Sequence, residues 1–467
     1  MSELTHHRMA PPMTEPAESA EPIESTARGA PGSRGTAARR GRGRQRGVAL
    51  IAVMVAIAIT LVIANEFGTS TNGDLMAAAN YRDQMRAHFL ARSAVSLSEL
   101  VIRVQQRIDN VKMLRDMGIR ITDFADQVLL AFCGSSEEVQ AAIGLTSSDA
   151  KGLGADVGTC GIVGPITTDD DKLNLNCTRS TSAGPTFKSA LEGLVYFPTY
   201  DPVFEEPDAE GYRRDRATQV SAIVDYIDPD TQRVGANGAP EDYGYENLKD
   251  PYKAKNNYID TLGELRLVRG VDDRFLALFG PAFTVYGSCK VNLSAMTNPQ
   301  LIASVLFLTA KNKNDPMLQD PVRLFALAGL VAKAKMYGVS FIKAEDFINF
   351  VKDPAAQIGA LAAQSGTLAG SAASAAMSGG IPGVTGGTKL GLELDAKAVN
   401  QLGSTGPRRT YRIEAWGEIE RKQKNADGTP VFPAIRSTVT GVWDTKVVPQ
   451  NVRKPVPKGA WVFLRED

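Results

Sequence analysis

The stretch Arg46-Gly47-Val48-Ala49-Leu50-Ile51-Ala52-Val53-Met54-Val55-Ala56-Ile57-Ala58-Ile59-Thr60-Leu61-Val62-Ile63-Ala64 decides the fold. From Val48 to Ala64, seventeen residues run with Thr60 as the sole polar side chain. As a helix rising about 1.5 Å per residue they extend about 25 Å, close to the depth of a bilayer's hydrocarbon core. Basic residues flank one side only. Between Arg28 and Arg46 there are seven arginines and no acid, in a background of Gly, Ala, Pro, Ser, Thr and Gln. A segment of that kind buries too little apolar surface to offset chain entropy, so disorder is expected there. The one-sided arginines disfavour a buried core helix. The positive-inside bias then keeps residues 1–46 in the cytoplasm and sends the remainder across the membrane.

An ordinary signal peptide is cut after its apolar core, at small residues. No A-x-A stands before Asn65; Gly47-Val48 stands instead at the start of the span. Basic residues, then Gly, then an uninterrupted apolar helix resemble a type IV prepilin leader. That resemblance implies cleavage between Gly47 and Val48 by a membrane-embedded aspartic peptidase, with N-methylation of the new terminus. In most pilin-like subunits the fifth mature residue is Glu, which offsets a neighbour's charged amino terminus where an unpaired charge is costly. Here that position is Ala52. A subunit without the carboxylate suits the end of a fibre better than its repeated positions.

Beyond the span, apolar residues recur in steps of three or four as Tyr81, Met85, Phe89, Leu97, Leu100, Val101, Val104 and Ile108. This predicts an amphipathic helix with that stripe packed, and Arg82, Asp83, Arg86, Arg92, Arg103, Gln105 and Arg107 on the opposite face. Gly68 and Asn72-Gly73 are expected to bend or melt the link to the span. His88, beside Phe89, reads as a packed or solvated helix residue.

The whole chain has 467 residues, enough for two to four domains, with 52 basic and 52 acidic side chains and 43% apolar residues. That composition is globular and excludes a disordered, collagen-like or multi-span membrane chain. The neutral total conceals a leader, residues 1–47, with eight Arg and five Glu, and a body with 44 basic and 47 acidic residues. Of three histidines only His88 lies outside the leader, so chemistry built on an imidazole base, a zinc set or a Ser-His-Asp relay is poorly provided for. The expectation is a protein that is not an enzyme.

Strand-like runs at Gly161-Ile162-Val163 and Lys172 to Asn176 flank the acidic turn Asp169-Asp170-Asp171, read as a hairpin turn rather than a metal site. A helical block follows. Thr261-Leu262-Gly263-Glu264 is a capping box whose helix stops at Gly270. Asp272 caps a helix through Phe279, and Asn298-Pro299 opens another to about Thr309. Further helices are expected over Pro321 to Tyr337 and Lys343 to Val351. The arrangement is SAM-like or helix-hairpin-helix-like. In hairpins that hold nucleic acid, free N–H groups at such a turn meet phosphate. Here Asp272 and Asp273 occupy that place, so no nucleic acid is expected.

Residues 356–388 are rich in Ala, Gly and Ser and read as a flexible insertion. Tyr411 to Ile419 and Thr438 to Trp443 then alternate as an antiparallel strand pair, whose apolar side packs most simply on the amino-terminal helix. The expected fold is α+β: a type IV pilin-like domain with a large inserted all-α domain. Its limits are a leader at 1–47, the pilin helix at 48–110 and an α/β segment at 111–180. The inserted helical domain follows at 181–352, the flexible insertion at 353–400 and carboxy-terminal strands at 401–467.

Asp225, Asp228, Asp230, Glu241 and Asp242 surround the loop Gly235-Ala236-Asn237-Gly238 and could supply oxygen ligands to calcium. The bland reading is a solvated turn at Asp228-Pro229-Asp230. Four cysteines, Cys133, Cys160, Cys177 and Cys289, lack any C-x-x-C spacing, which disfavours zinc and allows disulfides in an oxidising compartment. Of the three full pairings none is selected by spacing alone; Cys160 with Cys177 is expected, as the nearest pair beside a strand pair.

Several motifs together resemble the general secretion pathway protein K family, the large minor pseudopilin of type II secretion. They are the leader site, the missing Glu, Asp170 to Asn176, Val224-Asp225-Tyr226-Ile227-Asp228-Pro229-Asp230, Gly238 to Asp242, Leu262-Gly263-Glu264-Leu265-Arg266-Leu267-Val268-Arg269-Gly270 and Lys290 to Ala295. They follow the family's order. The long leader, the Ala/Gly/Ser insertion and the segment from Val111 to Cys160 depart from it. The resemblance implies an inner-membrane single-pass protein with its large domain in the periplasm of a Gram-negative bacterium. It also implies a place at the pseudopilus tip with minor pseudopilins of the I and J kinds, starting fibre assembly on an inner-membrane platform. Calcium in the helical domain is implied too. The rival readings are a minor pilin of a type IV pilus, used in adhesion or DNA uptake, and a signal-anchored periplasmic metal-dependent hydrolase.

Overall fold

The computed structural model describes residues 46–116, 119–133, 158–207, 215–235, 240–241, 244–246, 248–334, 339, 341–365, 390–421, 432–447 and 458–467. The chain divides into two compact units, Met1–Asp74 and Leu75–Asp467. The described part of the first unit is helical, within a helix (α1) assigned over Arg46–Asn110. Its apolar residues are exposed, and Thr60, the polar exception, donates its hydroxyl to the Ala56 carbonyl at 2.7 Å. The break expected at Gly68 and Asn72-Gly73 is absent. Glycine lowers helix propensity by only about 1 kcal/mol, which the long helical run on either side absorbs.

The second unit has two hydrophobic cores. In one, α1 packs on a four-stranded antiparallel sheet ordered β1-β6-β7-β8, with β1 at Thr159–Ile162, β6 at Thr410–Ile419, β7 at Ile435–Asp444 and β8 at Ala460–Glu466. The expected strand pair is therefore present, in the register Tyr411 to Trp443 and Ala415 to Val439. Tyr411, Ile413 and Ala415 point inward and alternate with Arg412 and Glu414, as a half-buried strand requires.

The helix face that meets this sheet is only in part the predicted one: of the expected stripe, Val101 is buried and Leu97 packs against the same core. Ala87, Ala91, Ala94, Ser98 and Ile102 are fully buried, with Val95 and Val101 nearly so. Tyr81, Met85, Phe89, Leu100 and Val104 are exposed, at 37 to 67%. Close approach of backbones explains the choice. A Cβ at Gly417 of β6 would lie 2.2 Å from the Ala87 carbonyl oxygen and 2.5 Å from the Ala91 nitrogen, so only glycine fits opposite a helix face of small residues. Asp83 and Gln105, expected on the polar side, end the buried face instead. Asp83 accepts from Arg421 at 3.0 Å; Gln105 donates to the Ile119 carbonyl at 3.0 Å and accepts from the Ile121 N–H at 2.7 Å.

The other core is helical and reaches past the expected 181–352 limits, from Leu173 to Leu402. Its larger helices are Gly184–Val195, Arg216–Ile227, Pro299–Thr309, Pro321–Lys333 and Ala344–Lys352. The predicted caps hold. Glu264 accepts from the Thr261 N–H at 3.1 Å, Asp272 from the Phe275 N–H at 2.8 Å and Asn298 from the Gln300 N–H at 2.9 Å. The first of these opens a 3-10 helix, Leu262–Leu267, and Gly270 follows at φ 82°. Within the stretch expected to be a flexible insertion, Pro354–Ser365 and Ala396–Leu402 are helices; residues 366–389 lie outside the described residues.

The acidic triplet 169–171 is not a hairpin turn. β1 pairs with β6, whereas β2 (Leu173–Asn174) pairs in parallel with β3 (Phe283–Thr284), so the strands on either side belong to different sheets. All three carboxylates are buried where the chain leaves one core and returns to it. Asp169 is paired to Arg412 at 2.6 Å and to Lys172 at 2.7 Å. Burial alone would raise its pKa, but these two cations outweigh burial and hold it below the usual carboxylate range. Asp170 accepts from the Arg409 N–H, from the Thr410 N–H at 3.1 Å and from the Thr410 hydroxyl at 2.8 Å.

The same topology corrects the expected Cys160–Cys177 bridge. The Ala125–Cys133 helix lies against β1, giving Cys133–Cys160; the β2–β3 pairing brings Cys289 toward Cys177, giving Cys177–Cys289. Each core therefore carries its own disulfide.

Candidate functional site

Three of the five predicted calcium ligands converge. The Arg216–Ile227 helix begins at Asp215, whose side chain accepts from the Thr218 N–H at 2.8 Å, and ends at Asp228. Asp225 on its last turn, Asp228 at its end and Glu241 bring carboxylate oxygens within 4.8 Å of one another, all buried. The intervening loop folds back through a bridge between Gln232 and Pro240, and Gly235 takes the left-handed φ of 80° that this turn requires. The Val234 N–H donates to Asp225 at 2.9 Å. Asp230 stands apart: it is exposed and accepts from the Gln232 N–H at 2.8 Å, an ordinary turn contact. Asp242 lies outside the described residues.

Among the described residues, Asp228 Oδ1 and both Glu241 oxygens are buried with no hydrogen-bond partner. Leaving such atoms unpaired is costly, more so for charged groups. Burial pushes the Asp225 pKa up to about 6, with Asp230 adding repulsion. Burial, then repulsion from neighbouring acids, pushes Asp228 up to about 7 and Glu241 up to about 8. The Arg179 guanidinium is engaged by carbonyls, those of Ile227 at 2.9 Å and Asn256 at 2.8 Å. The donor set is all oxygen and buried, with three of its oxygens unsatisfied, which fits a hard divalent cation of the calcium class.

Gly47 and Val48 lie in the first turn of α1, and Ala52 is an exposed helical residue. Among the described residues one helix, Ala49–Asn110, contains a stretch long and apolar enough to cross a membrane. His88 packs edge-on against Phe89 and stands 3.5 Å from Glu466, with Arg92 3.6 Å from the same carboxylate. At the turn considered for phosphate, Asp272 accepts the helix N–H and Asp273 pairs with Arg266.

Tyr81, Met85, Phe89, Leu100 and Val104, expected to be packed, are exposed and lie opposite the helix face buried on the sheet. The alternative face, Ala87, Ala91, Ala94 and Ser98, repeats with the same helical period. The counter-signal was Gly417 in the middle of β6, since glycine inside a strand marks a close backbone approach.

The family model described as type II secretion system (T2SS), protein K, matches residues 208–288, which hold both the 224–230 motif and the 262–270 motif. A curated relative, the type II secretion system protein K of Aeromonas hydrophila, is 34% identical over 95 residues, 20% of this chain and 28% of that protein. The chain thus matches less than a third of that relative's length. A solved structure titled as the GspK-GspI-GspJ complex from the enterotoxigenic Escherichia coli type 2 secretion system aligns over 66% of this chain and 80% of that chain. It does so at 13% identity and a TM-score of 0.36, too distant to carry an argument. By residues 208–288, the segment that contains its acidic cluster, the chain is similar to the type II secretion system protein K family.

Proposed function

We propose that the chain is a minor pseudopilin, seated at the tip of a type II secretion pseudopilus, where it starts fibre assembly with other minor pseudopilins and supports export of folded proteins. The observation that carries this reading is the division of labour on α1. Its small-residue face is spent on the chain's own sheet, while the large apolar side chains Tyr81, Met85, Phe89, Leu100 and Val104 are exposed. An exposed apolar stripe of this extent marks an interaction surface. Earlier in the same helix is the apolar span Val48 to Ala64, in which Ala52 replaces the carboxylate that repeated subunits use. Partners of the I and J kinds, the fibre, the prepilin peptidase and the inner-membrane platform follow from this reading, as do a pilin-like fold and a periplasmic body. The role we propose is structural and not catalytic.

Calcium belongs to the same reading, held by Asp225, Asp228 and Glu241. It would neutralise three carboxylates that burial disfavours and would tie the end of the Arg216–Ile227 helix to the following loop.

The test is amino-terminal mass analysis of the chain from cells with and without prepilin peptidase. A mature chain that begins at Val48, N-methylated, and appears only with the peptidase is expected. An intact Met1 or a cut near Asn65 in both strains would overturn the reading. Co-purification with minor pseudopilins of a secretion system, rather than with pilus subunits, separates the two fibre roles.

A further inference from the structure

A cavity of about 460 Å³ opens in the second unit between the end of α1, the start of the Ala344–Lys352 helix and residues 405–408. Two guanidiniums stand in it with poorly satisfied donors. The Arg408 side chain is only 10% exposed; its Nη1 is 2.8 Å from Asp123 and makes long bonds, each 3.4 Å, to the Thr122 hydroxyl and the Ile166 carbonyl, while its Nε is buried without a partner among the described residues. Arg120 reaches the Ser294 carbonyl at 3.4 Å, a long and weak bond. Burial, then the proximity of Arg408, lowers the Arg120 pKa, so the pair of cations is held together against its own repulsion.

Lys112 and Lys343 are exposed at the cavity and add positive charge. The opposing acids are Asp109, which accepts from Gln105 at 2.9 Å, and Asp123. Four cations, Lys112, Arg120, Lys343 and Arg408, against two carboxylates leave a surplus of two positive charges, before Arg115 is counted. Part of the wall is apolar, formed by Ile119, Phe341 and Pro407. A bare inorganic anion would use the charge and leave that wall uncovered.

We propose that this cavity binds an organic carboxylate with an apolar body, the carboxylate meeting Arg120 and Arg408 and the body lying on Phe341 and Pro407. The carboxylate can come from a free organic acid or from the carboxy terminus of a polypeptide; the chemistry is shared. Neither source depends on the pseudopilin reading.

The test is calorimetry on the full chain in detergent micelles with 3-phenylpropionate, its amide and inorganic phosphate. Saturable binding of the carboxylate is expected, with the amide and phosphate each at least about tenfold weaker, the scale of a charge-assisted bond. Arg120→Gln should lose about tenfold and Lys343→Gln, at an exposed position, about threefold, while both keep the parent melting temperature. Equal binding of the amide or of phosphate, unchanged affinity in Arg120→Gln, or no saturable binding to the folded chain would each overturn the proposal. A peptide ending in a phenylalanine carboxylate distinguishes the sources. Tighter binding than 3-phenylpropionate points to a polypeptide terminus, and weaker binding to a free acid.

Discussion

The two cores of the second unit are built from opposite materials. Where α1 meets the sheet, the contact is made by Ala87, Ala91, Ala94, Ser98 and Gly417, and the backbones touch. In the helical core the filling is large: Phe275, Phe279, Phe283, Phe347 and Phe350 are all fully buried, and Phe279 sits among Tyr200, Phe204 and Phe275 with ring centroids 4.8 to 6.2 Å apart. A seam of small residues fixes a distance and fails when atoms are added. A core of large ones fills a volume and fails when atoms are removed.

The strongest way to break that contrast is therefore subtraction in one core and addition in the other. Phe279→Ala should cost about 4 kcal/mol in denaturant unfolding, the cost of emptying an aromatic site. Gly417→Val should cost about 3 kcal/mol, since the new Cβ has backbone on two sides. If Gly417→Val proved neutral while Phe279→Ala was severe, the seam would not be the tight contact described.

The disulfides test whether the cores are separately stapled. Removing the 112-residue loop closure, Cys177 and Cys289 to Ser, should destabilise by about 4 kcal/mol; removing the 27-residue closure, Cys133 and Cys160 to Ser, by about 3 kcal/mol. Peptide mapping without reductant should recover these two pairs, and a Cys160–Cys177 peptide would contradict them.

Metal removal should act on the helical core alone. At a calcium concentration a hundredfold above Kd, a chelator should lower stability by about 2.7 kcal/mol. Asp228→Ala should abolish that difference. The sign with pH follows from the raised carboxylates. In the metal-free chain their folded pKa values, about 6, 7 and 8, exceed the unfolded ones. Their protonation stabilises the fold fully below the unfolded pKa, and that contribution is lost as pH rises through those values. Calcium competes with the same protons, so its affinity should rise from pH 6 to pH 8, which titration calorimetry at fixed ionic strength would show.

The smallest effect on folding is expected on the outer face of α1. Phe89→Ala and Leu100→Ala should shift stability by less than about 0.5 kcal/mol, because both side chains are exposed. Their effect should fall on co-purification with partner pseudopilins. Lost stability with intact partner binding would reverse the assignment of the two faces.

What could be read in advance was what is local. The caps at Asp272 and Asn298, the stop at Gly270 and the strands around Tyr411 and Val439 depend on near neighbours in the chain, and they stand where the residues indicated. The face of α1 could not be read that way. Two stripes share one period there, and choosing the larger residues mistakes hydrophobicity for fit. The Cys177–Cys289 pairing and the burial of Asp169 to Asp171 depend on segments more than 100 residues apart, which spacing does not encode. Three acids of the cluster were legible because a helix end and a short returning loop bring them together. Asp230 was not separable from them in a list of carboxylates.

The clamp at Asp170 ties the outgoing strand, through Thr168, and the returning strand, through Arg409 and Thr410, at one point. Mechanically, the helical body hangs from the sheet by two stems held side by side, not by one thread. A force on either stem would be shared with the other at Asp170, which opposes hinging between the two cores.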